Sequence, residues 1–359
     1  MKLSVCLIVR DEEEVLARCL DCVKKFADEI VVCDTGSKDK TVEIAKRYTD
    51  NVVFFDWCDD FSAARNYCFE KACGDYLMWI DADDIIEDGE TEKIIGLKQV
   101  LPQYDMAFLR YGAFNPSGEP DYVYMRERIF RNSPEFRFSG AVHEAVTPSG
   151  KIIYSDALIL HKKIKSPDSM RNLRIYQAKI MRGEKLDARS KFYYGRELFF
   201  CGMLRESEAV LSDFLRGDGW IENKIEACIN LYDLRLALGD REGAAQAVLF
   251  SFTLAPPRPR ACCALGDVAY VGNNLQAAKY WYECALTADS GERSGAFVDK
   301  SYSRFIPYMR LCALHDRLGE YERAFAYNER AARERPDDKQ VAHNRNYFKS
   351  KHIEVKNEL

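Results

Sequence analysis

Residues 1 to about 160 alternate short apolar segments with amphipathic ones, and this alternation restricts the chain to few folds. Four strands are predicted, over the segments LSVCLIV (3–9), EIVVCDTGS (29–37), NVVFFDW (51–57) and YLMWIDADD (76–84). The stretches between them predict helices, the first with apolar residues at three- and four-residue spacing. Alternation of this kind predicts an α/β domain with a parallel, doubly wound sheet. Such sheets bind ligands outside the carboxyl ends of their strands.

After about residue 165 the strand pattern stops and a helical pattern repeats. The segments LGDREGAAQAVLFSFTLAP and LGEYERAFAYNERAARERP align without a gap, and GNNLQAAKYWYECALTAD forms a third copy. Glycine, alanine and then proline or aspartate recur at fixed spacing, at Gly239, Ala244, Pro256; Gly319, Ala324, Pro336; and Gly272, Ala277, Asp289. Small alanines let paired helices approach closely, and a proline ends the second helix. The pattern predicts all-α hairpins of about 34 residues, similar to tetratricopeptide repeats.

The change of pattern near residue 165 divides the chain into domains. We expect an α/β domain over residues 1–165, a linker helix over 166–189, helical repeats over 190–345 and a C-terminal tail over 346–359. Repeat arrays offer an extended surface that serves either a polypeptide partner or self-association. Both uses stay open at this point, and the second would make a homodimer through the repeats.

Composition and charge exclude some partners and indicate a compartment. The net charge is −5 with acids and bases mixed, and no basic stripe favours nucleic acid. The N-terminal apolar run soon meets acidic residues, and no window approaches about 20 apolar residues, so neither a signal peptide nor a membrane span is expected. The chain has thirteen cysteines, an odd number, and most of them lie within apolar strand or helix segments. Both observations favour buried reduced thiols over disulfides. We therefore expect a cytoplasmic protein.

Carboxylates crowd the ends of two predicted strands. Asp81, Asp83 and Asp84 follow one strand directly, and Asp34 ends another. Aspartate is common in turns and helix caps, so a solvated turn is one interpretation. Carboxylates this close raise each other's pKa unless a positive charge lies between them, and clustered acids suit hard divalent cations. Because the carboxyl ends of parallel strands share one edge of the sheet, the second interpretation is a cation site in a cleft.

Several motifs in order resemble those of one enzyme family. The segments LSVCLIVRDEEEVLARCL, DEIVVCDTGSKDKTVEIAKRY, DFSAARNYCFEKACGDYLMWIDADD and RFSGAVHEAV resemble successive motifs of family 2 inverting glycosyltransferases. With the repeats, the chain is similar to the subgroup that carries C-terminal tetratricopeptide repeats and includes bacteriocin S-glycosyltransferases. The resemblance implies a GT-A fold, that is, a Rossmann-like, mostly parallel sheet. One departure is Asp11, where the family usually has asparagine.

The resemblance also implies roles for particular residues. Asp83 would be the main ligand of Mn²⁺ or Mg²⁺, Asp81 would contact the ribose or the metal, and His161 would be a late metal ligand. Asp34 would contact the nucleoside and Arg65 the nucleotide. Alternatives stay open: Asp34 as the cap of the TGSKD turn, Arg65 in a salt bridge with Asp59 or Asp60, and His161 as a structural residue.

Single displacement with inversion needs a base that deprotonates the acceptor. His143 and Glu144 are adjacent candidates that match the family's VHE pattern; adjacent residues on a strand point to opposite faces, so only one is expected to reach the acceptor. We favour Glu144 as the base, with His143 orienting or binding the donor. The phosphates of a sugar nucleotide could pair with one of three arginines, Arg126, Arg128 and Arg131. We favour Arg131 for this role.

The expected activity is metal-dependent transfer of a hexose from a UDP-sugar to a peptide or protein side chain, such as cysteine or serine. The alternative is a non-catalytic repeat scaffold with a relic sugar-nucleotide domain. Nucleotidyl transfer is rejected because it would want a glycine-rich basic loop after the first strand, and here that loop is RDEEE. No motif names the sugar or the acceptor.

Overall fold

The computed structural model describes residues 1–114, 120–162, 168–291 and 298–353. The chain divides into two compact units, Met1–Leu186 and Asp187–Leu359. The first unit is a sheet with helices and the second is helical. This confirms the predicted fold class, an α/β domain followed by an all-α domain of helical hairpins.

Eight of the described strands of the first unit form one twisted sheet, and two more form a short ladder. The ten strands are β1 Leu3–Val9, β2 Glu29–Asp34, β3 Val52–Phe54, β4 Tyr76–Trp79, β5 Asp84–Ile85, β6 Met106–Phe114, β7 Pro120–Arg131, β8 Phe138–Ser139, β9 Ala145–Val146 and β10 Ile152–His161. Along the large sheet the order is β3-β2-β1-β4-β7-β6-β10-β5. Strands β1 to β4 are parallel, as predicted, whereas β7 runs antiparallel to both of its neighbours.

Strands β1, β2 and β4 are buried on both faces, which explains why they are apolar nearly throughout rather than alternating. In β1, Leu3, Val5 and Leu7 join one apolar cluster, and Cys6 joins the cluster on the other face. The helices of this unit are α1 Leu16–Val23, α2 Thr41–Ala45, α3 Phe61–Glu70, α4 Asp88–Val100 and α5 Arg171–Met181.

The register of the sheet brings distant polar residues to one edge. Val9 at the end of β1 pairs with Asp34, and Cys6 pairs with Trp79, the last residue of β4. The acidic segment that follows β4 therefore leaves the sheet on the same side as Asp34. Strand β5 then pairs antiparallel with β10, which sets Asp84 opposite His161.

Helix α5 lies in the region where the sequence predicts a linker helix, residues 166–189. This helix belongs to the first compact unit. It contacts that unit through the Tyr176 hydroxyl, which donates to the Val142 carbonyl at 3.4 Å. Of the predicted tail, residues 354–359 lie outside the described residues.

Pairs of successive helices build the second unit. The helices are α6 Ala188–Phe200, α7 Leu204–Arg216, α8 Ile221–Ala237, α9 Arg241–Ser251, α10 Pro259–Val271, α11 Leu275–Ala285, α12 Phe305–Arg317, α13 Tyr321–Glu334 and α14 Lys339–Ser350. Helix α6 packs against α7, α8 against α9, α10 against α11 and α12 against α13. The predicted helical repeats are confirmed.

One repeat begins a residue later than the sequence alignment places it. Gly202, Gly239 and Gly319 turn the chain between paired helices with φ of 76°, 84° and 75°. In the third hairpin this conformation belongs to Asn273, with φ 60°, whereas Gly272 has φ −73°. Asparagine tolerates the left-handed region, so it replaces glycine there. The alignment on Gly272 and Ala277 is therefore wrong by one residue; the fully buried equivalents are Ser207, Ala244, Ala278 and Ala324.

Two helical glycines should respond oppositely to alanine. A Cβ at Gly266 in α10 would lie 2.4 Å from the Tyr282 ring, whereas a Cβ at Gly96 in α4 would meet nothing within 4 Å. We expect Gly266→Ala to destabilise the chain by about 2 kcal/mol through overpacking. Gly96→Ala should stabilise it by about 0.5–1 kcal/mol through helix propensity. Thermal unfolding of both variants checks this, and a shift of the same sign in both would contradict it.

Among the described residues, every helix is too short or too polar to span a bilayer. The cysteines are all free thiols, and Cys6, Cys33, Cys228 and Cys312 are buried, as their apolar surroundings in the sequence predict.

Candidate active site

The three aspartates after β4 separate into two groups. Asp81 Oδ1 lies 2.8 Å from Arg65 Nη2. Asp83 Oδ1 and Asp84 Oδ1 instead face His161 Nδ1, at 3.2 and 3.3 Å. One ligand atom from each of Asp83, Asp84 and His161 lies within 4.8 Å of the others. We call these three residues the cation group.

Strand pairing holds the cation group together. The β5–β10 ladder pairs Asp84 with His161, and the Lys162 amide donates to the Asp83 carbonyl at 3.0 Å. Arg18 Nη2 on α1 donates to the Lys162 carbonyl at 3.1 Å, which ties the helix to the same corner. The group therefore rests on the edge of the sheet rather than on a free loop.

The cation group fits a divalent ion. Neighbouring ligands of an octahedral Mg²⁺ at 2.0–2.1 Å lie about 3 Å apart, close to the two distances from His161 Nδ1. The two carboxylates are the kind of ligand that Mn²⁺ and Mg²⁺ prefer. Hydrogen bonds to Asp83 and then Asp84 raise the pKa of His161 to about 10, so a metal ion that binds here through the imidazole must displace a proton from it.

Two of the three predicted metal ligands, Asp83 and His161, are in the cation group. The third, Asp81, is not: its carboxylate turns to Arg65, and Asp84 occupies the place instead. Asp84 is fully buried and also accepts a hydrogen bond from the Tyr111 hydroxyl at 3.0 Å. The sequence shows Asp84 as an acid beside the motif but does not identify it as part of the group.

Arg65 joins two of the predicted site residues. Its Nε donates to Glu144 Oε1 at 2.7 Å, while Nη2 contacts Asp81, and the guanidinium lies 4.6 Å from the centre of the Trp79 ring. Burial alone would raise the pKa of Asp81, but the charge of Arg65 outweighs it and lowers that pKa to about 2. Asp81 is thus a carboxylate at neutral pH.

The alternative partners of Arg65 are engaged elsewhere. Asp60 caps α3 by accepting from the Ala63 amide at 3.0 Å, and Asp59 accepts from the Trp57 indole at 2.8 Å. The predicted salt bridge between Arg65 and either residue is therefore wrong.

Arg65 should also be important for stability. Arg65→Met would leave the carboxylates of Asp81 and Glu144 without their shared cation, and breaking a buried pair costs about 3 kcal/mol or more. For a unit of this size, that corresponds to a fall of about 6–12 °C in thermal midpoint. Arg131→Met is the control, because Arg131 is 43% exposed in its pair with Asp105, and such a pair contributes about 1 kcal/mol or less. Equal midpoints for both variants would contradict this expectation.

His143 and Glu144 do not lie on a strand, so the argument from strand alternation fails for them. They precede β9, and His143 has φ 53°, in the left-handed region that breaks the alternation. Glu144 is 9% exposed and is held by Arg65 through Oε1, while its own carbonyl accepts from Arg126 Nη2 at 3.2 Å. Glu144 therefore lies beside Asp81 through their common arginine.

The structure does not bring Arg131 to this edge. Because β7 is antiparallel to β4, Arg131 pairs with Tyr76 at the start of β4, about 16 Å of strand away from Asp81. Its guanidinium pairs with Asp105 at 3.0 Å. Arg126 and Arg128, farther back along β7, lie by Trp79 instead, with guanidinium carbons 5.1 and 3.7 Å from the ring centre. The preference for Arg131 as a phosphate ligand is thus corrected by the direction of the strand.

Asp34 caps the turn after β2, as one interpretation proposed. Its Oδ1 accepts from the amides of Gly36 and Ser37 at 3.0 and 3.1 Å. Asp11, where the resembling family has asparagine, lies opposite in the left-handed region with φ 54° and accepts from the Lys38 amide at 2.6 Å. Aspartate shares this tolerance with asparagine, so the departure preserves the turn.

Comparison with known proteins bears on this region. Residues 4–157 match the family model described as glycosyl transferase family 2. A TPR repeat-containing protein of Synechococcus elongatus is 41% identical over 150 residues, which is 41% of this chain and 36% of that protein. The SPbeta prophage-derived glycosyltransferase SunS of Bacillus subtilis is 28% identical over 223 residues, which is 58% of this chain and 51% of that protein. The chain thus spans between a third and about half of the length of these curated relatives.

Among solved structures, S. aureus TarS 1-349 in complex with UDP-GlcNAc has a TM-score of 0.39 and 13% identity, covering 94% of this chain and 92% of that one. This likeness is too weak to transfer a ligand or a function.

Proposed function

We propose that this chain, whose residues 4–157 match the glycosyl transferase family 2 model, transfers a hexose with inversion from a UDP-sugar to a peptide or protein side chain, using Mn²⁺ or Mg²⁺. The observation that carries the proposal is the cation group of Asp83, Asp84 and His161 at the carboxyl edge of the sheet. In an open α/β sheet this edge is where ligands bind.

Each site residue has a proposed task. Asp83, Asp84 and His161 hold the cation, which when bound neutralises the departing diphosphate as a Lewis acid. Arg65 and Asp81 contact the nucleotide, and Asp34 fixes the turn next to the nucleoside. Glu144 accepts the proton of the acceptor, and His143 orients the donor. Arg65 holds Glu144 beside Asp81, because its guanidinium contacts both carboxylates.

A polypeptide acceptor is proposed because of the second unit. Helical repeat arrays commonly bind extended peptides, and this unit consists of such hairpins along its described length. The attacking atom is proposed to be the sulfur of cysteine or the oxygen of serine. Self-association of two chains through the repeats is the competing use of the same unit.

Release of UDP from UDP-glucose, UDP-GlcNAc and UDP-galactose, each with Mn²⁺ or Mg²⁺ and without acceptor, tests the proposal. We expect slow hydrolysis of one donor that stops with EDTA and returns when the cation is added back in excess. Restoration separates loss of the cation from damage to the protein.

The alternative, a non-catalytic scaffold, predicts a different result. If no donor is hydrolysed, calorimetry with UDP and Mn²⁺ decides between the two. Binding of UDP without turnover would indicate an enzyme that waits for its acceptor or uses another sugar. Absence of UDP binding would reject the transferase and favour the scaffold.

A further inference from the structure

Arg128 is a buried cation that the proposed chemistry does not use. Its side chain is fully buried, and its guanidinium lies between two aromatic rings, 3.7 Å from the centre of Trp79 and 4.2 Å from that of Tyr111. Nη1 lies 3.3 Å from Asp84 Oδ2, and Asp84 is equally buried. A second contact, from the same Nη1 to the Trp79 carbonyl, is also 3.3 Å.

We propose that Arg128 is a positioning residue for the cation group: it clamps Asp84, and through Asp84 sets His161, in the geometry that a divalent ion needs. The inference rests on the proposed function, since it concerns the same ion. It differs from the metal site itself because Arg128 is fully buried and is not a ligand.

The first argument is that the buried guanidinium of Arg128 lowers the stability of the fold, so stability does not account for its presence. Among the described residues, Nε and Nη2 of Arg128 have no hydrogen-bond partner, although both atoms are buried. A buried donor without a partner is destabilising, and a buried ion pair is seldom better for stability than apolar residues of the same volume. Stability alone therefore does not explain an arginine at this position.

The second argument is that Arg128 completes the fixation of one carboxylate. Asp84 Oδ2 faces Arg128 and also accepts from the Asp81 amide at 3.1 Å. Asp84 Oδ1 accepts from the Tyr111 hydroxyl and faces His161. Both oxygens are thus oriented, and the two rings that enclose the guanidinium prevent it from turning. Tyr111 takes part twice, through its ring and through its hydroxyl.

Shape as well as charge is required in this interpretation. A lysine would keep the positive charge but not the flat group that fits between two rings. Partners of metal ligands typically change metal affinity by 10–100-fold when they are replaced. We therefore expect Arg128→Lys to weaken Mn²⁺ binding at least about tenfold.

Calorimetric titration of Mn²⁺ into the full chain, with UDP present, tests the proposal. The matched control is Arg131→Lys, the same change on the same strand. Arg131 lies opposite the start of β4, away from the cation group, and its guanidinium pairs with Asp105. A second variant, Tyr111→Phe, keeps the ring and removes only the hydroxyl that orients Asp84. We expect the Kd for Mn²⁺ to rise in Arg128→Lys and, less, in Tyr111→Phe, and to stay unchanged in Arg131→Lys.

The rate at saturating Mn²⁺ adds a second readout. A positioning role predicts that Arg128→Lys recovers its turnover when Mn²⁺ is raised, because the ligands themselves are intact. If Arg128→Lys does not fold, Arg128→Gln, which keeps a flat group between the two rings but removes the charge, replaces it in the titration and is expected to raise the Kd for Mn²⁺ as well. Wild-type affinity in every folded variant would overturn the inference and leave the proposed function standing. A wild-type chain that binds no Mn²⁺ would reject the metal dependence and the role of Arg128 together.

Discussion

Asp83→Ala is expected to lower the release of UDP from the preferred donor by about three orders of magnitude. Its carboxylate faces His161 and is a member of the cation group. Stabilisation of transition-state charge by a bound cation amounts to several kcal/mol, and each 1.36 kcal/mol corresponds to a factor of ten in rate, so loss of about 4 kcal/mol gives about 10³. Turnover and Mn²⁺ affinity, measured on the same preparation, should fall together.

Asp156→Ala is the control for this prediction. Asp156 lies on the same strand as His161 but is 77% exposed, and its carboxylate is 3.5 Å from Lys93. Removing it deletes one negative charge without touching the cation group, and surface pairs of this kind contribute about 1 kcal/mol or less. A rate for Asp83→Ala within threefold of the rate for Asp156→Ala would show that the cation group is not part of catalysis.

Glu144→Gln is expected to lower the transfer rate by about 10²–10⁴, the range that general base catalysis supplies. Glutamine has the shape of glutamate, and its amide oxygen can still accept from Arg65 Nε, the contact that glutamate makes at 2.7 Å. The donor and Mn²⁺ should bind as in the wild type, so the loss should appear in kcat and not in binding. Single-turnover measurements with saturating UDP-sugar check this.

The nature of the acceptor changes the expected size of this effect. A thiol has a reference pKa of about 8.5, so at pH 9 much of it is already ionised and needs little help from a base. With a cysteine acceptor the defect of Glu144→Gln should therefore shrink as the pH rises, whereas with a serine acceptor it should persist. An unchanged rate at pH 7 in the variant would assign the proton transfer to another group, with His143→Gln as the next variant.

The sequence is most informative where structure is local. The strands β1 to β4 and the helices between them follow from apolar runs and helical periodicity, and the repeats follow from glycine and alanine spacing. Strand β7 is different, because its segment YMRERIFR places charged residues within a central strand. Its antiparallel direction depends on pairing with β4 and β6, which no local pattern records. This direction decides that Arg128 lies near the end of β4, by the candidate site, and that Arg131 lies near its start.

The candidate site shows the same limit. Asp83 and His161 could be proposed from the family resemblance, but the choice between Asp81 and Asp84 could not. It depends on the pairing of β5 with β10 and on the reach of Arg65 from α3, both of which are long-range contacts. The sequence alignment places the third repeat one residue too early for a related reason. Glycine is the usual residue in the left-handed region, so the alignment uses Gly272, whereas the turn is made by Asn273.

The β5–β10 pairing also determines when the site can exist during synthesis. Asp84 is made 77 residues before His161. At a synthesis rate of about 5–20 residues per second, roughly 4–15 s pass between the addition of Asp84 and the addition of His161. During that interval the nascent chain has the carboxylates but not the edge of the sheet that fixes them. Tight retention of a divalent ion would therefore distinguish chains that have finished folding the first unit from those still in progress.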